Sequence, residues 1–214
     1  MHLICYRLVM LCLLSLLLLG SVTPSRADDA GECTKARSDA SIRDCSRIIE
    51  SGQLYGKPLD KVGLAIIHYS RGMAYRYRQQ HDRAIADFSE TIELFPKFAL
   101  AFDRRGTAYA KLKQYDRAIS DFGQFIRLDP NTSLGFFNRG TAYMDVKEYD
   151  RAIADFSQGI KLNPKSTFGF ISRGGAYVEL KQYDRAIADY REALKLDPSS
   201  EDSKAGLRRL GVGD

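Results

Sequence analysis

Histidine, cysteine and carboxylate side chains are the first candidates for chemistry in this 214-residue chain. Beyond the N-terminal 27 residues, the only histidines are His68 and His81. The sequence has no HExxH zinc motif, no GxSxG nucleophile motif and no glycine-rich phosphate loop. The acidic residues are plentiful, but they recur at a fixed interval, whereas a catalytic site is a single arrangement. We therefore interpret both histidines as packing residues and expect no enzymatic activity, no metal and no cofactor.

The N-terminal segment has the pattern of a secretory signal peptide. A basic start precedes the apolar run Leu8–Leu19, which is shorter than the roughly 20 residues needed to span a bilayer. Ser25 and Ala27 then place small side chains at the two positions that signal peptidase reads. We predict cleavage after Ala27, so that residues 1–27 are removed and the mature protein is periplasmic or secreted, free of the membrane. An uncleaved membrane anchor is the alternative.

Two of the four cysteines remain after this cleavage, Cys33 and Cys45. Their spacing makes no CxxC motif, and no histidine lies near enough in sequence to suggest a zinc site. An even pair of cysteines in an oxidising compartment forms a disulfide by default. The sequence therefore predicts a Cys33–Cys45 disulfide.

Proline recurs every 34 residues, at Pro96, Pro130, Pro164 and Pro198. The segments before these prolines are copies of one unit, as in "LGFFNRGTAYMDVKEYDRAIADFSQGIKLNP". A period of this length indicates stacked supersecondary units. Within each unit a first helix carries small and aromatic residues on one face, and a second helix ends before the proline. The sequence thus predicts an all-α fold of repeated helix pairs.

Two small-residue columns have packing explanations. A glycine within a helix costs about 1 kcal/mol relative to alanine, so a repeated helical glycine indicates close approach of a partner helix. We expect the repeated alanine to supply the facing surface. These columns are Gly72, Gly106, Gly140 and Gly174 for glycine, and Ala84, Ala118, Ala152 and Ala186 for alanine.

At these residues the sequence resembles the tetratricopeptide repeat family, and the leader suggests an exported, bacterial-type member. The family pattern is aromatic-x2-Leu-Gly-x2-Tyr, then Ala-x3-Phe, then Pro. Four copies fit it, at about 65–98, 99–132, 133–166 and 167–200. The resemblance implies an α-solenoid of helix-turn-helix repeats wound into a right-handed superhelix.

Arginine replaces the family's leucine before the glycine in every copy. An aspartate also recurs in the second helix, which predicts a ladder of structural ion pairs between neighbouring helices. The two columns are Arg71, Arg105, Arg139 and Arg173, and Asp87, Asp121, Asp155 and Asp189.

The ends of the array are predicted to be capped. Residues 28–57 are interpreted as a partial repeat in which Cys45 occupies the core aromatic column, and the disulfide as a clamp on it. Pro58 is expected to open the next helix, as a first-turn residue, so the four repeats occupy 58–198. Residues 199–214 are expected to form a C-terminal solvating helix and tail.

The resemblance implies that the first helices line a concave groove. Columns there that vary among copies are candidates for ligand contact, and their mixture of aromatic, apolar and amide side chains suits a peptide segment. The candidate groove residues are Ile66, Tyr69, Ser70, Met73, Leu100, Asp103, Arg104, Thr107, Leu134, Phe137, Asn138, Thr141, Phe168, Ile171 and Ser172. The family's chaperone-tail receptors hold a terminal carboxylate with a Lys, Asn and Arg clamp. Only Asn138 and Arg104 share its residue types, so that ligand is not carried over.

These observations favour a non-enzymatic protein-interaction adaptor that binds a protein or peptide. The alternative is a structural role as an oligomer-forming or membrane-anchored envelope spacer. Loss of Arg7 and Arg26 with the leader lowers the formal charge from +5 to +3, and the remaining basic residues are interleaved with acids. So weak a balance indicates no nucleic-acid partner.

Overall fold

The computed structural model describes Cys33 and residues 38–213, so the predicted signal peptide and cleavage site lie outside the described residues. Helix α1 (Asp39–Ser51) precedes a short antiparallel hairpin of β1 (Gln53–Leu54) and β2 (Lys57–Pro58). The helix pairs that follow are α2 (Lys61–Tyr77) and α3 (His81–Leu94), α4 (Ala99–Lys111) and α5 (Tyr115–Leu128), α6 (Ser133–Asp145) and α7 (Tyr149–Leu162), and α8 (Thr167–Glu179) and α9 (Tyr183–Leu196). Helix α10 (Glu201–Arg209) completes the array. The predicted all-α solenoid of helix pairs is confirmed.

The two helices of a repeat approach most closely at the glycine column. A Cβ built on Gly140 would lie 2.7 Å from Cε1 of Phe156, and one on Gly106 would lie 2.9 Å from Cε1 of Phe122. The close approach is therefore as predicted. The nearest atoms facing each of these glycines belong to an aromatic ring, because the absent side chain leaves the volume that a ring needs.

The predicted ion-pair ladder is confirmed in all four repeats. Nε and Nη2 of Arg139 donate to both carboxylate oxygens of Asp155, at 2.7 and 2.8 Å. The same bidentate pairs join Arg71 with Asp87, Arg105 with Asp121 and Arg173 with Asp189. In three repeats the arginine Nη1 also donates to a serine in the preceding helix: Arg71 to Ser46, Arg105 to Ser89 and Arg173 to Ser157. The arginine thus joins its own two helices and ties them to the preceding repeat.

The N-terminal cap differs from the prediction at Pro58, which lies in β2 and opens no helix. Helix α2 begins at Lys61 instead, because the Oδ1 atom of its N-cap Asp60 accepts a hydrogen bond from the Gly63 amide at 2.6 Å. Tyr55 and Gly56 both have positive φ angles, 53° and 75°. Positive φ at both loop residues is the backbone of a type I′ turn, which favours a tight hairpin.

Both ends of the helical array are covered. Cys33 and Cys45 form the predicted disulfide, with their Cα atoms 5.0 Å apart, and both are buried beside Ile48 and Ile67. At the other end, Leu207 of α10 is buried in a cluster with Tyr190 of α9 and Ala186. Within the described residues every helix is too short or too polar to cross a membrane.

Candidate peptide-binding groove

The first helices of the repeats define the inner face of the array. Helix α2 contacts α4, α4 contacts α6 and α6 contacts α8, in addition to the contacts that each makes with second helices. First helices that approach one another in this way lie on the inside of the curve. The predicted groove residues all belong to these four helices.

Thirteen of the fifteen predicted groove side chains keep some exposure to solvent. Leu134, Thr141 and Phe168 are the exposed members of this set, and ten others are partly exposed. Those ten are Ile66, Tyr69, Ser70, Met73, Leu100, Arg104, Thr107, Asn138, Ile171 and Ser172. The structure therefore leaves most of the predicted set at the surface of the first helices.

Asp103 and Phe137 lie in the interior instead, with exposures of 0% and 7%. The Phe137 ring fills space left by two glycines. A Cβ on Gly169 would lie 2.9 Å from Cε1 of this ring, and one on Gly159 would overlap it. Phe137 therefore supports the groove from beneath and does not form its surface.

The apolar part of the groove surface lies in the third and fourth repeats. Leu134 is 39% exposed and Phe168 is 53% exposed, at equivalent positions of α6 and α8. The Phe168 ring packs edge-on against Phe137, with ring centroids 5.7 Å apart. Burial of an exposed aromatic side chain by a ligand is favourable by about 1.5–3 kcal/mol. These two side chains form an apolar strip that a partner could cover.

The polar part of the groove is a cluster of Arg76, Asp103, Arg104 and Asn138, here called the arginine cluster. The amide of Asn138 donates to Oδ1 of Asp103 at 2.7 Å, and Nη1 of Arg104 lies 3.1 Å from Oδ2. Burial raises the pKa of the Asp103 carboxyl, while the Arg104 charge and the Asn138 hydrogen bond act to lower it. The cluster thus holds a buried carboxylate beside two guanidinium groups.

The two arginines of this cluster are incompletely satisfied. Nε of Arg76 and Nε of Arg104 are both buried, and neither has a hydrogen-bond partner among the described residues. Burial, followed by the neighbouring Arg104 charge, lowers the pKa of Arg76. A buried donor without a partner costs about 1–3 kcal/mol. Oδ2 of Asp103 is also buried without a hydrogen-bond partner, so the polar groups of this cluster do not fully pair with one another.

Arg76 is not among the groove residues predicted from the variable columns. Its equivalents in the later repeats are Ala110, Met144 and Val178, so a lone charge in an apolar column was the available signal. His68, by contrast, is buried, and its Nδ1 lies 3.1 Å from Oδ1 of Asp87. It completes the polar contacts of the ion-pair ladder. The described residues contain no group of histidine, cysteine and acidic side chains that could hold a metal ion.

Comparison with known families matches the repeats directly. Family models described as "Tetratricopeptide repeat" match residues 65–98, 99–132, 133–166 and 169–200, which together span more than half of the chain. The chain belongs to the tetratricopeptide repeat family. No curated protein matches the sequence.

Several solved tetratricopeptide repeat structures are similar to this chain. The first such domain of Spaghetti (RPAP3), bound to the HSP90 peptide SRMEEVD, is 29% identical with a TM-score of 0.52 over 53% of this chain and 90% of that one. The second such domain of human RPAP3, in complex with the HSP70 peptide SGPTIEEVD, is 28% identical with a TM-score of 0.51, covering 53% and 94%. A MamA double mutant covers 85% of this chain and 99% of its own at a TM-score of 0.72. Its identity is 16%, so it shows the fold alone.

Proposed function

We propose that this tetratricopeptide repeat protein is a non-enzymatic adaptor that holds a segment of a protein partner along the inner face of its first helices. The exposed apolar strip of Leu134 and Phe168 carries the proposal, because two large apolar side chains stand unburied at equivalent positions of adjacent repeats. The peptide complexes of the RPAP3 domains, at 28–29% identity, support a peptide as the type of partner.

The alternative of an end-to-end structural spacer has less support at the C-terminal end. Helix α10 covers the last repeat, with Leu207 buried against Tyr190. Stacking through that face would require α10 to leave its site. Sedimentation of the mature protein tests this point, since the adaptor function expects a monomer and a spacer expects concentration-dependent assembly.

The groove is tested by selecting peptides from a random library against residues 28–214. We expect selected peptides to bind with micromolar dissociation constants and to lose at least about tenfold in affinity with Phe168→Asp or Leu134→Asp, because either change places a charge in the apolar strip. Tyr183→Asp is the matched control, since Tyr183 is 47% exposed on a second helix. Equal losses in all three variants, or no selected binder, would contradict the proposal.

We further propose that the adaptor acts outside the cytoplasm, in the periplasm or as a secreted protein. The signal-peptide pattern of residues 1–27 and the Cys33–Cys45 disulfide support this location, because disulfides persist in oxidising compartments. Mass spectrometry of the protein from its native host tests it. A mass that begins at Asp28 and rises by two hydrogens on reduction is expected, whereas a mass that retains Met1 would indicate an anchored or unexported protein.

A further inference from the structure

The polar groups of the arginine cluster are incompletely paired. Nε of Arg76, Nε of Arg104 and Oδ2 of Asp103 are all buried without hydrogen-bond partners among the described residues. The arginines of the ion-pair ladder differ, since each of them donates twice to an aspartate. The local charge is also unbalanced, because two guanidinium groups face the single carboxylate of Asp103, and Asn138 already donates to that carboxylate. An additional anion beside the two guanidinium groups would balance this charge and relieve their mutual repulsion.

The position of the cluster in the array indicates the kind of anion. Arg76 lies in the last turn of α2 and Arg104 in α4, so the pair bridges the first and second repeats. The apolar strip of Leu134 and Phe168 continues from there along α6 and α8. Ile66 and Leu100, both partly exposed, occupy the equivalent positions of the first two repeats. Apolar positions therefore run through all four repeats, and a chain end bound at the cluster would leave part of the row uncovered.

We propose that Arg76 and Arg104 together bind the carboxylate of an internal aspartate or glutamate side chain in the partner segment, whose apolar residues cover Leu134 and Phe168. The proposal rests on the proposed peptide-binding function. Guanidinium groups suit this ligand, since their planar donors match a carboxylate with two parallel hydrogen bonds. The site uses arginines from two repeats and no lysine, so it differs from the Lys, Asn and Arg clamp of the chaperone-tail receptors.

The structure also predicts that replacing Arg76 weakens peptide binding without lowering the stability of the free protein. Nε of this side chain has no hydrogen-bond partner among the described residues, and burial and the neighbouring Arg104 charge disfavour its positive charge more than Asp103 favours it. Arg76→Gln should therefore leave the urea midpoint of the free protein unchanged or raised, while it weakens peptide binding. A residue with only a structural role would show the opposite pattern.

The test uses the peptides selected against residues 28–214, with affinity measured by calorimetry. We expect a conserved Asp or Glu among these peptides. Replacing this acid by its amide should lower the affinity at least about tenfold, and so should Arg76→Gln or Arg104→Gln in the protein. The amide peptide should lose little further in either variant. Arg117→Gln is the matched control, because Arg117 is exposed on a second helix, where it donates to Gln114 and lies over the Tyr109 ring. Arg76→Gln is the decisive variant if Arg104→Gln proves unstable.

Each other outcome overturns the inference in a distinguishable way. Peptides that need Phe168 but carry no acid, or that bind Arg76→Gln as tightly as wild type, would leave the adaptor function standing and remove the carboxylate site. Peptides that lose affinity on C-terminal amidation, and not on replacement of an internal acid, would show that the pair binds a terminal carboxylate. If no peptide binds in the groove at all, both the proposed function and this site are wrong.

Discussion

At the scale of single residues, the ladder arginines are the most consequential side chains of the fold. Asp155 is 6% exposed and receives both hydrogen bonds from Arg139. We expect Arg139→Met to lower the free energy of unfolding by about 3 kcal/mol, because removing one partner leaves a buried carboxylate uncompensated. Urea denaturation measures the change. In a double-mutant cycle, Arg139→Met should lower the free energy of unfolding far less in the Asp155→Leu background than in the wild-type protein. Simple additivity of the two would argue against the ladder.

The third repeat lacks one bond that the others have. At the position of Ser46, Ser89 and Ser157, the helix that precedes the third repeat carries Gly123, and a Cβ there would meet Nη1 of Arg139 at 3.7 Å. Gly123→Ser should raise the free energy of unfolding by about 0.5–1.5 kcal/mol, since it supplies the missing acceptor and a better helix former.

Gly123→Ala is the control for this prediction, because it changes helix propensity without adding a hydroxyl. Alanine is the stronger helix former by about 0.5 kcal/mol. If the hydrogen bond forms, serine should match or exceed alanine in the urea midpoint despite this handicap. A serine variant that is less stable than the alanine variant by the full propensity difference would show that no bond to Arg139 forms.

At the scale of helices, an aromatic ring of one helix packs against a glycine of the neighbouring helix, and different helix positions supply the ring in different repeats. Phe125 of α5 occupies a position that is Gly159 in α7, and Phe137 of α6 occupies a position that is Asp103 in α4. Each ring lies against a glycine of a facing helix: Phe125 against Gly135, and Phe137 against Gly159. At each of these interfaces one ring thus fills the space that one glycine leaves, which keeps the packing density of the interior normal.

This exchange makes Gly159 sensitive to a single methyl group. We expect Gly159→Ala to destabilise the protein by about 1–3 kcal/mol, because the new Cβ overlaps the Phe137 ring, although alanine is the better helix former. Adding Phe137→Leu should recover part of the loss, as measured by thermal and urea unfolding. Gly175→Ala is the control, since a Cβ there meets nothing within 4 Å and should stabilise the helix. Phe137→Ala, by the same packing, would damage the fold and cannot serve as a groove variant.

At the scale of the whole molecule, each repeat contacts mainly its neighbours, so local damage should stay local. The Cys33–Cys45 bridge closes a separation of 12 residues at the N-terminal cap. Replacing both cysteines by serine should lower the free energy of local unfolding of α1 by about 3 kcal/mol. Hydrogen exchange should show faster amides in α1 and unchanged protection in α9. Reduction of the wild-type protein should reproduce this result, and uniform loss of protection along the array would contradict it.

Features that the chain repeats could be predicted from its sequence. The 34-residue unit, its helix pair and its Arg–Asp pair each occur four times, so comparison of the copies separates the shared residues from those that vary by chance. The Cys33–Cys45 bridge was equally accessible, since few partners were available. These features depend on local spacing and on the chemical preference of a residue type, both of which the sequence by itself determines.

Tertiary structure alone decided the features that occur once. The burial of Phe137 depends on Gly159 and Gly169 in two other helices, so volume across an interface and not residue type places it inside. The non-helical setting of Pro58 depends on the hairpin turn at Tyr55 and Gly56 and on the Asp60 cap, which starts the helix only at Lys61. Arg76 and Arg104 meet because adjacent repeats stack side by side. Contacts of this kind join residues that are distant in sequence, and only the packed array brings them together.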